Sequence, residues 1–193
     1  MAIQCDISKQ ASIEAAVRQV LDTYGTIDIL VNSAGLSKMA SITDATEADW
    51  DYVNNVTLKG TWLMIKGVAP TMKANKSGKI INIASMLSFQ GGIRVPSYTA
   101  SKSGVMGVTR LMANEWAKHN INVNAIAPGY MATNNTQQLR ADEQRSAEIL
   151  DRIPAGRWGL PSDLMGPVVF LASSASDYVN GYTIAVDGGW LAR

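Results

Sequence analysis

The sequence is poor in the residues that build disulfides and metal sites. It contains one cysteine, one histidine and two phenylalanines among 193 residues. Cys5 alone cannot form a disulfide within the chain, so the cytoplasm is the compartment that we expect. A zinc site usually takes four ligands, most of them cysteine or histidine, and we therefore expect no metal centre.

Charge excess and long apolar runs are also missing. Seventeen basic and sixteen acidic residues give a net charge of +1, without the basic surplus that is typical of nucleic-acid binding. No apolar run reaches the roughly 18 residues that a membrane-spanning helix needs, and residues 1–6 do not resemble a signal peptide. We expect neither nucleic acid nor a membrane as a partner. The composition is globular, and residues 1–193 suit a single domain.

Short β-branched runs alternate with helical patterns along the chain. The apolar periodicity predicts strands at residues 2–5, 27–31, 79–84, 121–126 and 182–186. Helical patterns lie between them, at residues 13–24, 47–68, 96–119, 136–152 and 161–171. Thr46 with Asp49 resembles a capping box at the start of the second helix. The alternation predicts an α/β fold with a mostly parallel sheet and helices on both of its faces.

A tyrosine and a lysine lie four residues apart, at Tyr98 and Lys102, with Ser85 thirteen residues upstream of the tyrosine. A helix that begins near Ser97 places positions i and i+4 on one face. The Lys102 ammonium would then lie beside the Tyr98 phenol, and we expect it to lower the tyrosine pKa from its ordinary value of about 10. Such a tyrosine suits proton exchange with a substrate alcohol near neutral pH.

Two other interpretations of these residues are open. A tyrosine and a lysine at this spacing also arise by chance in ordinary helices. Ser85 and Lys102 alone would suit a hydrolase, although no strained Gly-x-Ser-x-Gly turn surrounds the serine and the tyrosine would have no role. Labelling of Ser85 by an active-serine reagent would favour the hydrolase.

Small and polar residues follow several of the predicted strands. Asn32-Ser-Ala-Gly35 follows the second strand, Ser85 the third, and Pro128-Gly129 the fourth. Ligands of parallel α/β sheets bind beyond the carboxyl ends of the strands. We therefore expect a binding cleft at this edge of the sheet.

These residues resemble the motifs of the short-chain dehydrogenase/reductase family. The matching motifs are Asn32-Ser-Ala-Gly35, Ser85, Tyr98-x-x-x-Lys102, Pro128-Gly129 with Thr133, and Val186-Asp-Gly-Gly189. The resemblance covers the whole chain and is most specific from Lys79 to Arg193, which is similar to sugar-acid dehydrogenases of the family. It implies a Rossmann-like three-layer sandwich, a homotetramer, and hydride transfer between a nicotinamide cofactor and a sugar-acid ketone or alcohol. The expected cofactor is NAD, with NADP left open.

The resemblance assigns roles to particular residues. It implies catalysis by Ser85, Tyr98 and Lys102, with Tyr98 as acid and base. It implies cofactor contacts by Asp6, Asn32, Ala34, Gly35, Tyr98, Lys102, Pro128, Gly129 and Thr133. Asp6 could equally cap the helix that follows it. Arg94 could bind a substrate carboxylate through a bidentate contact or be an ordinary solvated arginine.

The chain departs from the family pattern at two places. It begins near the usual third strand, so we expect the first two strands and the glycine-rich phosphate turn to be absent. The strand at residues 2–5 would then shift into the vacant place or leave the sheet with an open edge. Thr57 occupies the position of the family's catalytic asparagine, and we expect a weakened proton relay. The alternative function is a catalytically silent remnant that keeps the fold and a self-association surface.

Overall fold

The computed structural model describes residues 1–193, which form four β-strands and seven α-helices. In chain order these are α1 Gln10–Tyr24, β1 Ile29–Asn32, α2 Glu47–Asn54, α3 Gly60–Asn75, β2 Gly78–Ile83, α4 Pro96–Trp116, β3 Ile121–Pro128, α5 Gln137–Ala141, α6 Glu143–Arg152, α7 Met165–Ala172 and β4 Thr183–Val186. None of these helices combines the length and the apolar character needed to cross a membrane.

The four strands form one parallel sheet in the order β1-β2-β3-β4. In this register Leu30 pairs with Ile80, Ile81 with Asn124, and Ile126 with Ile184. Parallel neighbours need a crossover connection, and helices occupy each of these crossovers. The predicted α/β fold with a parallel sheet is confirmed.

Helices cover both faces of the sheet, but unequally. On one face α1, α3 and α4 build the larger core, to which Ile13, Ile65 and Met112 contribute buried side chains. On the other face α7 packs Leu171 against β2 and β3. Because α7 does not reach β1, Ile29 and Val31 are 48% and 41% exposed on that face.

The strand predicted at residues 2–5 is wrong. These residues form no ladder, and the outer edge of β1 is unpaired. A strand requires a hydrogen-bonded neighbour, whereas this segment is held by side chains: Cys5 and Ile7 pack against the larger core, and Ile7 lies against Gly60. Of the two arrangements expected, the sheet with an open edge is the one observed.

Three predicted helices are interrupted. The pattern at residues 47–68 is split between α2 and α3 by a π-helical turn at Asn55–Lys59. The pattern at residues 136–152 breaks at Asp142, whose carboxylate accepts from the Arg145 N–H at 3.0 Å and so begins α6. The third opens with a 3₁₀ turn at Pro161–Leu164 before α7. The predicted cap at Thr46 is present, since its hydroxyl accepts from the Asp49 N–H at 3.1 Å.

Candidate active site

The fold brings Ser85, Tyr98 and Lys102 together at the carboxyl end of β2. Ser85 follows this strand and begins the 3₁₀ turn Met86–Ser88. Tyr98 and Lys102 lie in the first two turns of α4, which packs against that turn. The Lys102 ammonium lies 5.8 Å from the centroid of the Tyr98 ring. The i, i+4 spacing therefore places both side chains on one face of the helix.

The Lys102 ammonium is deeply buried and points at the backbone. Lys102 is 4% exposed, and its Nζ donates to the carbonyl oxygen of Ile83, the last residue of β2. Burial lowers the pKa of this ammonium to about 8. An ammonium has three N–H donors, and the Ile83 carbonyl is its one acceptor in the chain. Two donors are thus available for a ligand or for water in the cleft.

The expected lowering of the Tyr98 pKa is wrong. Burial raises the pKa of the phenol because the phenolate loses hydration, while a hydrogen bond with the Ser85 side chain lowers it by less. The Lys102 charge does not reverse this direction, since its ammonium is directed toward Ile83 rather than toward the phenolic oxygen. In the chain alone, Tyr98 is therefore held as a neutral phenol, the form that donates a proton.

Ser85 is placed by the turn that it begins. It is 6% exposed, and its Oγ accepts from the Leu87 N–H at 3.2 Å. The hydroxyl proton can still be donated, because a serine hydroxyl is one donor with two acceptor lone pairs. Ser85 and Tyr98 can therefore direct two O–H groups at one substrate oxygen.

The loop after β1 approaches Lys102 most closely at Gly35. A Cβ added to Gly35 would lie 3.4 Å from the Lys102 Nζ and 3.7 Å from the Thr57 Oγ1. Ala34 and Gly35 are exposed. The backbone of this loop therefore lies beside Lys102 with no side chain between them, and the cofactor contacts expected of Ala34 and Gly35 stay a prediction.

Asn32 faces the sheet. Its amide donates to the Asn82 Oδ1 at 2.9 Å, and the Asn82 amide donates to the Thr109 Oγ1 at 2.9 Å. All three side chains are buried. This chain of hydrogen bonds ties the ends of β1 and β2 to α4, so Asn32 braces the cleft.

Thr57 lies in the π-helical turn and is fully buried. Its Oγ1 accepts from the Leu36 N–H at 3.3 Å and can donate to the Leu36 carbonyl at 3.4 Å. The backbone N–H and the backbone carbonyl of Leu36 are thereby both hydrogen-bonded. The hydroxyl of Thr57 serves the protein backbone and is not directed at the cleft.

The Asp6 carboxylate contacts residues two and three positions further along the chain. One carboxylate oxygen accepts from the Ser8 N–H at 3.0 Å and the Ser8 hydroxyl at 2.6 Å, while the other lies 3.2 Å from the Lys9 Nζ. The Ser8 hydrogen bonds lower the pKa of Asp6 first, and Lys9 adds to them. These contacts hold the turn before α1. They do not cap the helix, because Lys9 is the residue at its start and no side chain caps it, so the capping alternative for Asp6 is wrong.

Pro128 ends β3, and Gly129 packs against the turn after β4. A Cβ on Gly129 would lie 2.6 Å from the Asp187 Cα, so only glycine fits. Thr133 follows, and its carbonyl accepts from the Arg140 guanidinium at 3.1 Å. This contact fastens α5 to the strand ends. The three residues border the same edge of the sheet as Ser85.

Arg94 is not joined to the serine, tyrosine and lysine. It has a left-handed backbone, with φ of 62°, and its carbonyl accepts from the Ala40 N–H at 3.0 Å. Its side chain lines a cavity of about 400 Å³ with Trp50 and Thr99. Ser85, Tyr98 and Lys102 are not among the lining residues, because Thr99 lies about 100° around α4 from Tyr98.

Ser88 is a site residue that the sequence analysis missed. Its hydroxyl donates to the Lys102 carbonyl at 2.7 Å and accepts from the Ser85 N–H at 3.3 Å. The Ser85-x-x-Ser88 spacing, a capping-box pattern, was the available signal. Asn82 was also missed, since an asparagine inside an apolar strand gives no local sign of its partner. No group of three or more His, Cys, Asp or Glu side chains could hold a metal ion.

Comparisons with known proteins identify the family of the chain. The family model described as enoyl-(acyl carrier protein) reductase matches residues 1–191. The chain belongs to the short-chain dehydrogenase/reductase family.

Two relatives and one crystal structure illustrate the similarity. The chain is 72% identical to 2-dehydro-3-deoxy-D-gluconate 5-dehydrogenase of Escherichia coli strain K12, and 66% identical to the protein of that name from Dickeya dadantii. Each alignment covers 100% of this chain and 77% of the relative. A gluconate 5-dehydrogenase from Burkholderia cenocepacia, in complex with NADP and tartrate, superposes with a TM-score of 0.95 at 39% identity, over 97% of this chain and 74% of that one.

Proposed function

We propose that this protein is an NAD(P)-dependent oxidoreductase that interconverts a ketone and an alcohol on a sugar acid. The observation that carries the proposal is the meeting of Ser85, Tyr98 and the buried Lys102 at the carboxyl end of β2. The family membership of the chain supports the same reaction. The names of the relatives from Escherichia coli and Dickeya dadantii support a sugar acid as the substrate.

Tyr98 is the proposed proton donor. In reduction, the neutral phenol gives its proton to the carbonyl oxygen of the substrate, and in oxidation it takes that proton back. Ser85 donates a hydrogen bond to the same oxygen and stabilises the negative charge that develops there. A bound nicotinamide would supply the hydride for reduction and accept it in oxidation, while these side chains handle the proton.

Lys102 and the loop after β1 are the proposed cofactor contacts. The two N–H donors that Lys102 does not give to Ile83 suit the hydroxyls of a ribose. The exposed backbone at Ala34 and Gly35 suits the close approach of a nucleotide. Thr133, beyond Pro128 and Gly129, is proposed to border the nicotinamide. NADP in the Burkholderia cenocepacia structure supports NADP as the cofactor, and NAD rests on the family resemblance.

Arg94 is the proposed contact of the substrate carboxylate, from the cavity that adjoins α4 on the other side of Thr99 rather than from beside Tyr98 itself. Its exposed guanidinium is the positive group nearest in sequence to Tyr98 on the loop that precedes α4. A bidentate pair with a carboxylate is the contact that its planar donors favour. The tartrate in the Burkholderia cenocepacia complex is itself a dicarboxylate, which supports acid recognition by this fold.

Self-association is proposed from the exposed aromatic side chains on the helices. Trp50, Tyr52 and Trp62 on α2 and α3, and Leu111 on α4, are each 40% or more exposed. Exposed apolar surface of this kind marks protein interfaces. We expect a homo-oligomer, a tetramer by family resemblance, located in the cytoplasm. Light scattering coupled to size exclusion tests the oligomeric state, and a monomer at micromolar concentration would contradict it.

A folded chain without turnover is the second candidate. It is favoured by the open edge of β1, which leaves one side of the proposed cleft without a neighbouring strand. The two candidates separate in one experiment: fluorescence titration with NADPH and with NADH, followed by turnover of 2-dehydro-3-deoxy-D-gluconate. Saturable binding with turnover supports the enzyme. A folded chain that binds neither cofactor up to millimolar concentration is the silent form.

A further inference from the structure

One hydroxyl contacts the backbones of two residues of the proposed active site. Ser88 lies at the end of the 3₁₀ turn after β2 and is 8% exposed. Its Oγ donates to the Lys102 carbonyl at 2.7 Å and accepts from the Ser85 N–H at 3.3 Å. These bonds join two separate pieces of structure, the turn that presents Ser85 and the helix that presents Tyr98 and Lys102.

The hydrogen bond to Lys102 is additional to the helix. Lys102 lies within α4, where its carbonyl already faces the helical N–H four residues later, and a carbonyl oxygen has a second lone pair that Ser88 takes up. On the other side, Ser88 engages the N–H of Ser85, while the Ser85 hydroxyl is used by Leu87. Ser88 therefore touches neither reacting hydroxyl and acts only on the backbones that carry them.

The two hydrogen bonds of Ser88 connect the turn that carries Ser85 to the helix that carries Tyr98. Ser85 and Tyr98 must direct their hydroxyls at one oxygen, and catalytic geometry tolerates displacements of only about 0.5 Å. We propose that Ser88 is a positioning residue that sets the separation of Ser85 from Tyr98 and Lys102. This inference rests on the proposed function for its kinetic consequence, but the separation itself can be measured without turnover.

The test compares Ser88→Ala with Ser88→Thr and with a matched control. Ser176→Ala removes another buried serine hydroxyl, which bonds the backbone carbonyls of Leu171 and Ser173. This hydroxyl also accepts from the Lys79 Nζ at 3.4 Å, at the end of β2 opposite to Ser85. We expect S88A to lower kcat by about threefold to tenfold, the loss of roughly one hydrogen bond, with the KM for the cofactor changed less than about twofold. S88T keeps the hydroxyl and should restore kcat. S176A should leave kcat unchanged.

A double-mutant cycle separates positioning from a general loss of structure. If Ser88 acts through Ser85, adding S88A to Ser85→Ala changes kcat by less than about twofold, whereas independent effects would multiply. An S88A enzyme with wild-type kcat, or an effect of equal size in the S85A background, would overturn the proposal.

A crystal structure provides the readout that does not need activity. We expect the Ser85 Oγ to Tyr98 Oη distance to grow by about 0.5 Å or more in S88A. An unchanged distance overturns the positioning role even in a chain without turnover. Absence of turnover in the wild-type chain, with a widened distance in S88A, would instead reject the proposed function and retain the inference.

Discussion

The ammonium of Lys102 donates a hydrogen bond to the carbonyl of Ile83, at the end of β2, from a position that is 4% exposed. No carboxylate forms a salt bridge with this lysine. The folded protein therefore carries a buried charge with one backbone acceptor, which is costly unless a ligand compensates it. The buried ammonium therefore destabilises the folded chain while it places a positive charge in the proposed active site.

Replacing Lys102 by methionine should stabilise the chain while abolishing activity. Burial lowers the folded pKa to about 8 from 10.5, so below pH 8 the buried charge opposes folding. We expect K102M to raise the free energy of unfolding at pH 7 by up to about 3 kcal/mol, less roughly 1 kcal/mol for the lost bond to Ile83. Urea denaturation followed by circular dichroism measures this difference.

The difference in stability between K102M and the wild type should depend on pH. Between about pH 8 and 10.5 the unfolded chain holds the lysine proton more tightly than the folded chain, so the stability of the wild type rises with pH over this range relative to K102M. The advantage of K102M should therefore shrink between pH 8 and 10.5. A K102M chain that is less stable than the wild type at pH 7 would contradict the buried charge.

Ser85→Ala should move the pH dependence of alcohol oxidation upward. The Ser85 hydrogen bond lowers the pKa of Tyr98, and burial raises it. Without the hydroxyl only the raising cause remains, so a higher pH is needed to form the phenolate that accepts the substrate proton. The measurement is kcat for oxidation from pH 7 to 11. An unchanged pH profile in S85A would show that the two hydroxyls are not coupled.

Thr57→Asn tests the departure from the family pattern. The Thr57 hydroxyl is occupied by the backbone of Leu36 and is not directed at the cleft. An asparagine amide has more donors and acceptors, and we expect T57N to raise kcat by roughly twofold to tenfold if the relay implied by the resemblance operates. Thr57→Val is the control, which should unfold more easily because Leu36 loses its partner. Equal kcat in T57N and wild type would reject the relay.

Arg94→Gln should weaken the binding of acids selectively. If Arg94 contacts the substrate carboxylate, we expect the KM for the sugar acid to rise about tenfold and that for a neutral ketone to stay constant. Arg94→Lys keeps the charge but loses the bidentate geometry. Its KM for the sugar acid should lie between those of the wild type and R94Q. The same KM in R94Q and wild type would leave Arg94 as a surface residue of the neighbouring cavity.

The fold was largely predictable because its signals are local. The apolar run of β2 and the cap formed by Thr46 and Asp49 each lie within a few neighbouring residues of the sequence. The π-helical turn at Asn55–Lys59 could not be predicted, since its apolar pattern continues that of the flanking helices. The strand at residues 2–5 failed because a strand also needs a neighbour.

The site was predictable in composition but not in its electrostatics. Spacing alone placed Tyr98 and Lys102 on one helical face. The direction of the Tyr98 pKa shift depends on burial and on the orientation of the lysine toward Ile83, which belongs to another element. Ser88 was missed for the same reason, because its partner Lys102 lies fourteen residues away.

The most direct test is to compare the wild-type chain with Tyr98→Phe in NADPH-dependent and NADH-dependent turnover of a sugar acid, with cofactor binding measured in parallel. Phenylalanine keeps the ring and removes the proton donor. We predict that the wild type turns over, and that Y98F loses about 10²-fold to 10⁴-fold in kcat while its affinity for the cofactor falls by less than about tenfold, the contribution of one hydroxyl contact. Equal turnover by Y98F, or a folded wild type that neither binds a cofactor nor turns over, would contradict the account.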